Sequence, residues 1–474
     1  MISTPAEFFS LINSKFPFEP TLKQGIVLNK LANFIFKKGS NDIFLLKGYA
    51  GTGKTTIVGA IVNNLWQAKK SAVLLAPTGR AAKVISNYSN KEAFTIHRKI
   101  YFPKKQKGGG VKFVLQPNKH RNTLFIVDEA SMIPDDITND SYTSLLNDLI
   151  HYVYSGFQCK LILIGDVAQL PPVKSNLSPA LDENILSLNY NKEVETIEFD
   201  EVVRQEESSG ILMNATNIRD ELNSAFFDTF KFDVNGFKDI VRLTDGNEIM
   251  DAIQDAYTEH GYEETAIIVR SNKRANLYNQ QIRQRILFKE SELSAGDYLM
   301  VVKNNYFWVK PTSEAGFIAN GDIIEVLEIF NNKELYGFKF AEVKVKMVDY
   351  PKMRPFETVL LLDTINIESA SLSYEDSNRL YQEVLKDYED ESSNYKKFLS
   401  VKNNKYFNAL QVKFSYAITC HKSQGGQWHT IFVEQPYLPD GISKEYMRWL
   451  YTAVTRARTQ LYLIGFKNEM FIEN

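Results

Sequence analysis

Gly48-Tyr49-Ala50-Gly51-Thr52-Gly53-Lys54-Thr55-Thr56 is a complete Gly-x-x-x-x-Gly-Lys-Thr phosphate loop, and the apolar run Ile43-Phe44-Leu45-Leu46 before it reads as a buried strand. The chemistry demands these residue types. Glycines let successive backbone N–H groups curl around phosphate oxygens, Lys54 reaches the terminal phosphates, and the Thr55 hydroxyl ligates Mg²⁺. A helix must begin at the loop so that the positive end of its dipole meets the anion. Ile57, Ile61 and Leu65, at i, i+4 and i+8, supply the apolar stripe of that helix. Strand, loop and helix together predict a nucleoside triphosphate site, with Gly48, Gly51, Thr52, Gly53, Lys54, Thr55 and Thr56 around the phosphates.

Outward from the loop, apolar strand-like runs at 43–46, 72–76, 124–127 and 161–164 alternate with helical stretches. That alternation predicts a parallel sheet with helices on both faces. A second series at 265–269, 414–418, 430–433 and 461–464, with a helical pattern over 444–458, predicts a second α/β lobe. Two stretches break the pattern. Residues 98–121 read as a protruding β-hairpin whose Lys-rich turn ends in Gly108-Gly109-Gly110. From 322 to 365, short strands alternate Val343, Val345 and Met347 with Glu342, Lys344 and Lys346, as in a small β-barrel inserted into the second lobe. After it, 373–399 is strongly charged but keeps Leu380, Val384 and Tyr388 at helical spacing, which predicts a surface helix facing solvent or another protein.

The bulk composition sets limits. At 474 residues and 44% hydrophobic, the chain can bury more than one core. No apolar run reaches bilayer length and no leader is visible, so a soluble cytoplasmic protein without a membrane partner is expected. Cys159 and Cys420 are too few and too separated for a disulfide framework or a zinc site. Lys plus Arg total 55 against 57 Asp plus Glu, so any surface that tracks a polyanion has to be local.

The phosphate loop has company. Residues 124–131 form an apolar strand that delivers Asp128 and Glu129 at its carboxyl end, where ligands bind in open α/β sheets. Asp128 there can hold Mg²⁺ and Glu129 can orient and deprotonate a water. Gly165-Asp166-Val167-Ala168-Gln169-Leu170-Pro171-Pro172 follows the next strand, so Gln169 can reach the γ-phosphate. Hydrolysis also needs positive charge on the transition state, for which Arg204 and Arg456 are the candidates.

In this order the segments resemble the motifs of the superfamily 1 helicases, specifically the 5′-to-3′ branch that contains RecD, the phage Dda helicase and the PIF-type helicases. Thr21-Leu22-Lys23-Gln24 resembles the adenine-reading motif, with Gln24 as the base contact. The phosphate loop matches the first numbered motif, and Ala76-Pro77-Thr78-Gly79-Arg80 and Thr95-Ile96-His97 match segments that contact DNA. Asp128-Glu129, the Gln169 segment and Arg204-Gln205 match the next three. Tyr416 to Gly425, with Thr419, His421, Lys422 and Ser423, matches the fifth motif, and Tyr451 to Arg458 the sixth.

The resemblance spans residues 21–458. It implies a fold of two RecA-like lobes with ATP and Mg²⁺ between them, an inserted β-hairpin and an inserted SH3-like barrel. On that reading the first lobe is 1–97 and 122–225, the hairpin 98–121, the second lobe 226–321 and 409–474, and the SH3-like insertion with its charged helix 322–408. Lys54, Asp128, Glu129, Gln169, Arg204 and Arg456 are implied as catalytic, Gly425 as a further nucleotide contact, and Thr55 and Asp128 as metal ligands. Thr78, His97, Pro171, Pro172, Thr419, His421, Lys422 and Ser423 are implied along single-stranded DNA. Tyr101, Phe102 and Phe113 are implied as a strand-separating pin at a single-strand/duplex junction. A monomeric, DNA-stimulated ATPase that unwinds duplexes is the expected activity. A translocase that strips proteins without opening duplexes, and a nucleotide-gated DNA-binding module without catalysis, stay open on sequence alone.

Overall fold

The computed structural model describes residues 2–39, 41–105, 111–136, 143–173, 175, 177–201, 209–224, 230–310 and 312–472, with backbone only for 103–105 and 111–113. The first strands are β1 (Asp42–Gly48), β2 (Ser71–Ala76), β3 (Ala93–Thr95), the hairpin strands β4 (Tyr101–Lys105) and β5 (Val111–Leu115), then β6 (Thr123–Val127), β7 (Lys160–Gly165) and β8 (Glu193–Phe199). Apart from the hairpin they form one sheet in the order β3-β2-β6-β7-β1-β8. Every pairing in it is parallel, with β1 set between β7 (Leu45 opposite Leu163) and β8 (Leu46 opposite Ile197).

A parallel sheet is covered on both faces, which is why its strands read as continuous apolar runs. Phe44 and Leu46 pack beneath the helices Leu22–Phe36 and Lys54–Val62, against Val27, Leu31, Ile57 and Ile61. Ile43 and Leu45 face the opposite way, onto Leu146, Leu149 and Val153 of the helix Leu145–Tyr154. Each such buried side chain contributes roughly 1.5–3 kcal/mol, so the alternation of faces fixes β1 in register and with it the position of the loop at its end.

The second lobe uses β9 (Ile240–Leu243), β10 (Thr265–Val269), and, after an insertion formed by β11 (Tyr298–Val301), β12 (Ile323–Leu335), β13 (Phe338–Met347), β14 (Phe356–Leu361) and β15 (Leu410–Phe414), the strands β16 (Ala417–Thr419), β17 (Trp428–Glu434) and β18 (Ala457–Ile464). Its sheet runs β16-β10-β17-β18-β9, again parallel throughout. The inserted strands close into a barrel, β11-β12-β13-β14-β15. Val343, Val345 and Met347 of β13 fill its interior at 0–1% exposure, as the alternation predicts.

Three boundaries differ from the sequence reading. The helix Gly210–Asn223 belongs by packing to the second lobe: Ile211, Ala215, Ile218 and Leu222 sit in one core with Phe232, Trp449 and Leu461. Its apolar stripe shows that one face is buried, but not against which sheet. The barrel is wider than 322–408, because closure needs β11 paired to both β12 and β15. The charged stretch 373–399 is two helices, Tyr374–Lys386 and Asn394–Asn403, anchored on the barrel through Leu380, Val384 and Val401.

β4 and β5 pair antiparallel from Tyr101 opposite Leu115 to Lys105 opposite Val111, and the tip at 106–110, Gln-Lys-Gly-Gly-Gly, lies outside the described residues. Among the described residues no helix is long and apolar enough to cross a membrane.

Candidate functional site

The phosphate loop leaves β1 at Gly48 and enters the helix Lys54–Val62. Gly53, just before that helix, has φ +87°, and a Cβ there would stand 2.9 Å from Gln24 Nε2. Only glycine meets both conditions cheaply. Thr52 is fully buried and donates its hydroxyl to Tyr49 O at 2.9 Å. Lys54 Nζ is folded into the loop, donating to Gly48 O at 2.9 Å and Tyr49 O at 2.6 Å. It thus fills its own cradle with positive charge, the complement of a phosphate. Thr55 and Thr56 occupy the first turn of the helix, and Gly51 has φ +77° at the turn of the loop.

Gln24 is 4% exposed, and its amide is already engaged. Oε1 accepts the Thr21 N–H at 3.0 Å in a capping box, and Nε2 faces Thr52 O at 3.5 Å. In this conformation Gln24 braces the loop against the Leu22–Phe36 helix, rather than presenting a free edge to a base.

β6 and β7 deliver the acidic groups. Glu129 follows β6 with φ +51° and ψ +38°, a left-handed conformation that turns the chain sharply out of the strand and is uncommon for a non-glycine residue. Burial pushes the carboxyls of Asp128, Glu129 and Asp166 up; Lys54 opposes this at all of them, as does Arg456 at Glu129 and Asp166. Gln169 is 5% exposed and, among the described residues, its Oε1 has no hydrogen-bond partner, as is also true of the buried Ser131 hydroxyl. Unpartnered buried oxygens are expensive in a folded protein, so these atoms mark where further polar atoms belong. Three raised carboxyls, an inward lysine and an orphaned amide oxygen fit a Mg²⁺-nucleotide. Thr55 and Asp128 would hold the ion, which would neutralise phosphate charge.

The second lobe closes this cleft. Arg456 is 2% exposed, donates to Thr452 O at 2.9 Å, Gly426 O at 3.2 Å and Thr455 Oγ1 at 3.1 Å, and brings Nη1 to 3.9 Å from Glu129 Oε1. The Lys444–Val454 helix also grips the Gln169 loop, since Leu170 N–H donates to Thr452 Oγ1 at 2.9 Å, while Gln424 Nε2 donates to Leu170 O at 2.6 Å. Ala168 and Leu170 are packed into the core of the second lobe. Arg204 lies outside the described residues.

The residues expected on a nucleic acid are placed as follows. Thr78 caps the helix Gly79–Ser89 by accepting the Ala81 N–H at 3.2 Å. Gly425 approaches that turn: its φ is +72°, and a Cβ on it would lie 2.9 Å from Ala81 Cβ and 3.0 Å from Thr78 Oγ1. Gly425 is therefore a lobe-to-lobe contact. Beside it the Arg80 guanidinium stacks 4.4 Å from the Trp428 ring centroid, a second bridge between lobes. Thr419 makes no cap hydrogen bond, and His421 is exposed. Lys422 Nζ donates to Asn320 Oδ1, and burial lowers its ammonium to about 8. Pro171 and Pro172 are half-buried just past the clamped Leu170. Ser423 is fully buried with its hydroxyl on Cys420 O at 2.8 Å, so the structure does not bring it to the track. Burial keeps the His97 imidazole below its usual range, and its ring lies 5.6 Å from that of Tyr101.

Of the three aromatics expected in a pin, the described residues place the side chains of two. Tyr101 donates to Asp148 Oδ2 at 2.6 Å and is tied to the first lobe. Phe102 is 39% exposed, and the Phe113 side chain lies outside the described residues. The barrel reaches the same region, since a Cβ at Gly79 would meet Asp322 Oδ1 and the Tyr350 hydroxyl, each at 2.9 Å. Sequence reasoning missed Asp166, Gln424, Tyr451, Thr452 and the Arg80–Trp428 pair as parts of this cleft. All lie inside or beside the quoted motifs, but their roles depend on which lobe faces them.

The model of an AAA domain matches residues 33–175, and that of a UvrD-like helicase C-terminal domain matches residues 414–464. An uncharacterized protein, R530, of Acanthamoeba polyphaga mimivirus is 25% identical over 93% of this chain and 98% of its own. The ATP-dependent DNA helicase dda of Enterobacteria phage T4 is 23% identical, over 88% of this chain and 93% of its own. The RecBCD enzyme subunit RecD of Buchnera aphidicola subsp. Schizaphis graminum is 25% identical, over 91% and 72% respectively.

Proposed function

Because the chain belongs with the superfamily 1B helicases, the branch of RecD and the phage Dda helicase, we propose that it is a DNA-stimulated ATPase that moves 5′ to 3′ on single-stranded DNA and unwinds duplexes. The observation that carries this reading is the split site: Lys54 and Glu129 stand on the first lobe, and Arg456, from the second, reaches within 3.9 Å of Glu129. A site completed only by closure can convert hydrolysis into lobe motion.

The geometry supports a division of roles. Lys54 exchanges its two carbonyl acceptors for phosphate oxygens. Glu129 takes the proton of the attacking water, and its raised carboxyl makes it a better base near neutral pH. Gln169, whose Oε1 has no partner among the described residues, orients that water. The oxygen of the water bonds to the γ-phosphorus as the bond to the bridging oxygen breaks, giving ADP and phosphate. Arg456 stabilises the charge that develops, and Arg204 is its proposed companion. The bound strand lies across Thr78, His97, Thr419, His421 and Lys422, where hydroxyls and a few cations meet phosphates.

The test is phosphate release with and without single-stranded DNA. Arg456→Ala should lose on the order of 10³-fold of DNA-stimulated turnover while binding nucleotide nearly normally. Arg456→Lys, which keeps charge but not the planar fork, should fall between the two. Wild-type turnover in Arg456→Ala would refute the split site.

A further inference from the structure

Tyr451 is 1% exposed, and its hydroxyl spans the cleft. It accepts the Ala50 N–H at 2.9 Å and donates to Asp166 Oδ2 at 2.7 Å. Neither bond belongs to the Lys444–Val454 helix itself, whose N-terminus is capped by Ser443, and the ring of Tyr451 is already packed in the core of the second lobe. The hydroxyl therefore does something the phenyl ring cannot.

Its two partners are informative. Ala50 is the third residue of the phosphate loop, whose backbone N–H groups are its means of holding an anion. Asp166 uses its other oxygen to accept the Ala168 N–H at 2.9 Å, turning the chain toward Gln169. The next residue, Thr452, takes the Leu170 N–H on its hydroxyl and the Arg456 Nε–H on its carbonyl. One helical turn thus touches the phosphate loop, the Gln169 loop and the arginine. A hydroxyl on a carboxylate in a dry cleft is among the stronger hydrogen bonds available for such a task.

We propose that Tyr451 is a positioning residue for hydrolysis: its hydroxyl registers the second lobe against Ala50 and Asp166, so that Arg456 and Gln169 are set together at the terminal phosphate. This rests on the ATPase reading. Tyr451→Phe removes the hydroxyl and keeps the ring. Its kcat for DNA-stimulated hydrolysis should fall about tenfold or more, the loss expected when one buried hydrogen-bond pair is removed from the closed state. KM for ATP should move less than about threefold, and the change in single-strand affinity between nucleotide-free and ATP-analogue-bound protein should shrink toward none.

A purely structural tyrosine would lower the melting temperature without that split. Should Tyr451→Phe fail to fold, Asp166→Asn on an intact Tyr451 carries the same prediction. An active wild type beside a Tyr451→Phe whose kcat and affinity coupling are unchanged overturns this inference alone. A wild type without DNA-stimulated turnover overturns the ATPase reading and this inference with it.

Discussion

Replacing Gly425 by alanine tests how closely the lobes must meet. Its φ of +72° costs an L side chain about 1–2 kcal/mol, a strain local to the second lobe. The larger effect lies across the interface. The new Cβ would stand 2.9 Å from Ala81 Cβ and 3.0 Å from Thr78 Oγ1, whereas carbon atoms rest at about 3.5–4.0 Å. Ala81 has no flexible end to swing aside and sits in the first turn of the Gly79–Ser89 helix, where Thr78 is the cap. Relief therefore requires the lobes to part by roughly 0.5–1 Å. Arg456 Nη1 is already 3.9 Å from Glu129, and a misplacement of about 1 Å at a reacting centre costs on the order of 10²-fold. Gly425→Ala should lose about that factor in DNA-stimulated phosphate release, with a melting temperature lower by a few degrees (~2–4 °C per kcal/mol). Nucleotide binding should hold within a few-fold, because the phosphate loop is untouched. A folded variant with wild-type turnover would refute the interface geometry, and a selective loss of nucleotide affinity would return Gly425 to the nucleotide.

Phe102→Ala should slow duplex unwinding and spare single-strand-stimulated ATPase; equal loss of both would count against a wedge. Tyr101→Ala, by contrast, also removes the Asp148 hydrogen bond and should lower thermal stability by about 1 kcal/mol or more. Asp322 is 2% exposed, and burial raises its carboxyl to about 8, with Asp349 adding to the shift and the Ala319 N–H opposing it. Between about pH 4 and 8 the folded chain therefore keeps a proton that the unfolded chain has lost, so stability should fall as pH rises through that window, by up to about 1.4 kcal/mol per unit. Asp322→Asn should flatten the pH dependence of the melting temperature, and parallel wild-type and variant profiles would show that the carboxyl is ionised throughout.

The sequence was most legible where backbone chemistry allows few solutions. Gly53 and Lys54 dictate a phosphate loop, and the apolar runs ending at Asp128 and Gly165 dictate strands whose carboxyl ends face one cleft. Legibility failed where the same pattern admits several partners. The stripe Ile211, Ala215, Ile218 and Leu222 fits either sheet, and only the three-dimensional core assigns it to the second lobe. Tyr298 to Val301 is too short a run to distinguish a lobe strand from a barrel strand, and the difference is a pairing with Phe414, more than a hundred residues later. Small polar residues were the hardest. Ser423 stands in a segment that resembles a DNA contact, yet its hydroxyl turns inward to Cys420 O. Tyr451 looks like a core aromatic, and its second role is invisible until Ala50 and Asp166 are placed opposite it.

The central claim, an ATP-driven motor with 5′-to-3′ polarity on DNA, is tested most directly by two partial duplexes that differ only in which strand carries the single-stranded overhang. With ATP and Mg²⁺ present, the protein should unwind the duplex with the 5′ overhang and leave the other intact. Unwinding of the 3′-overhang duplex alone would contradict the claim.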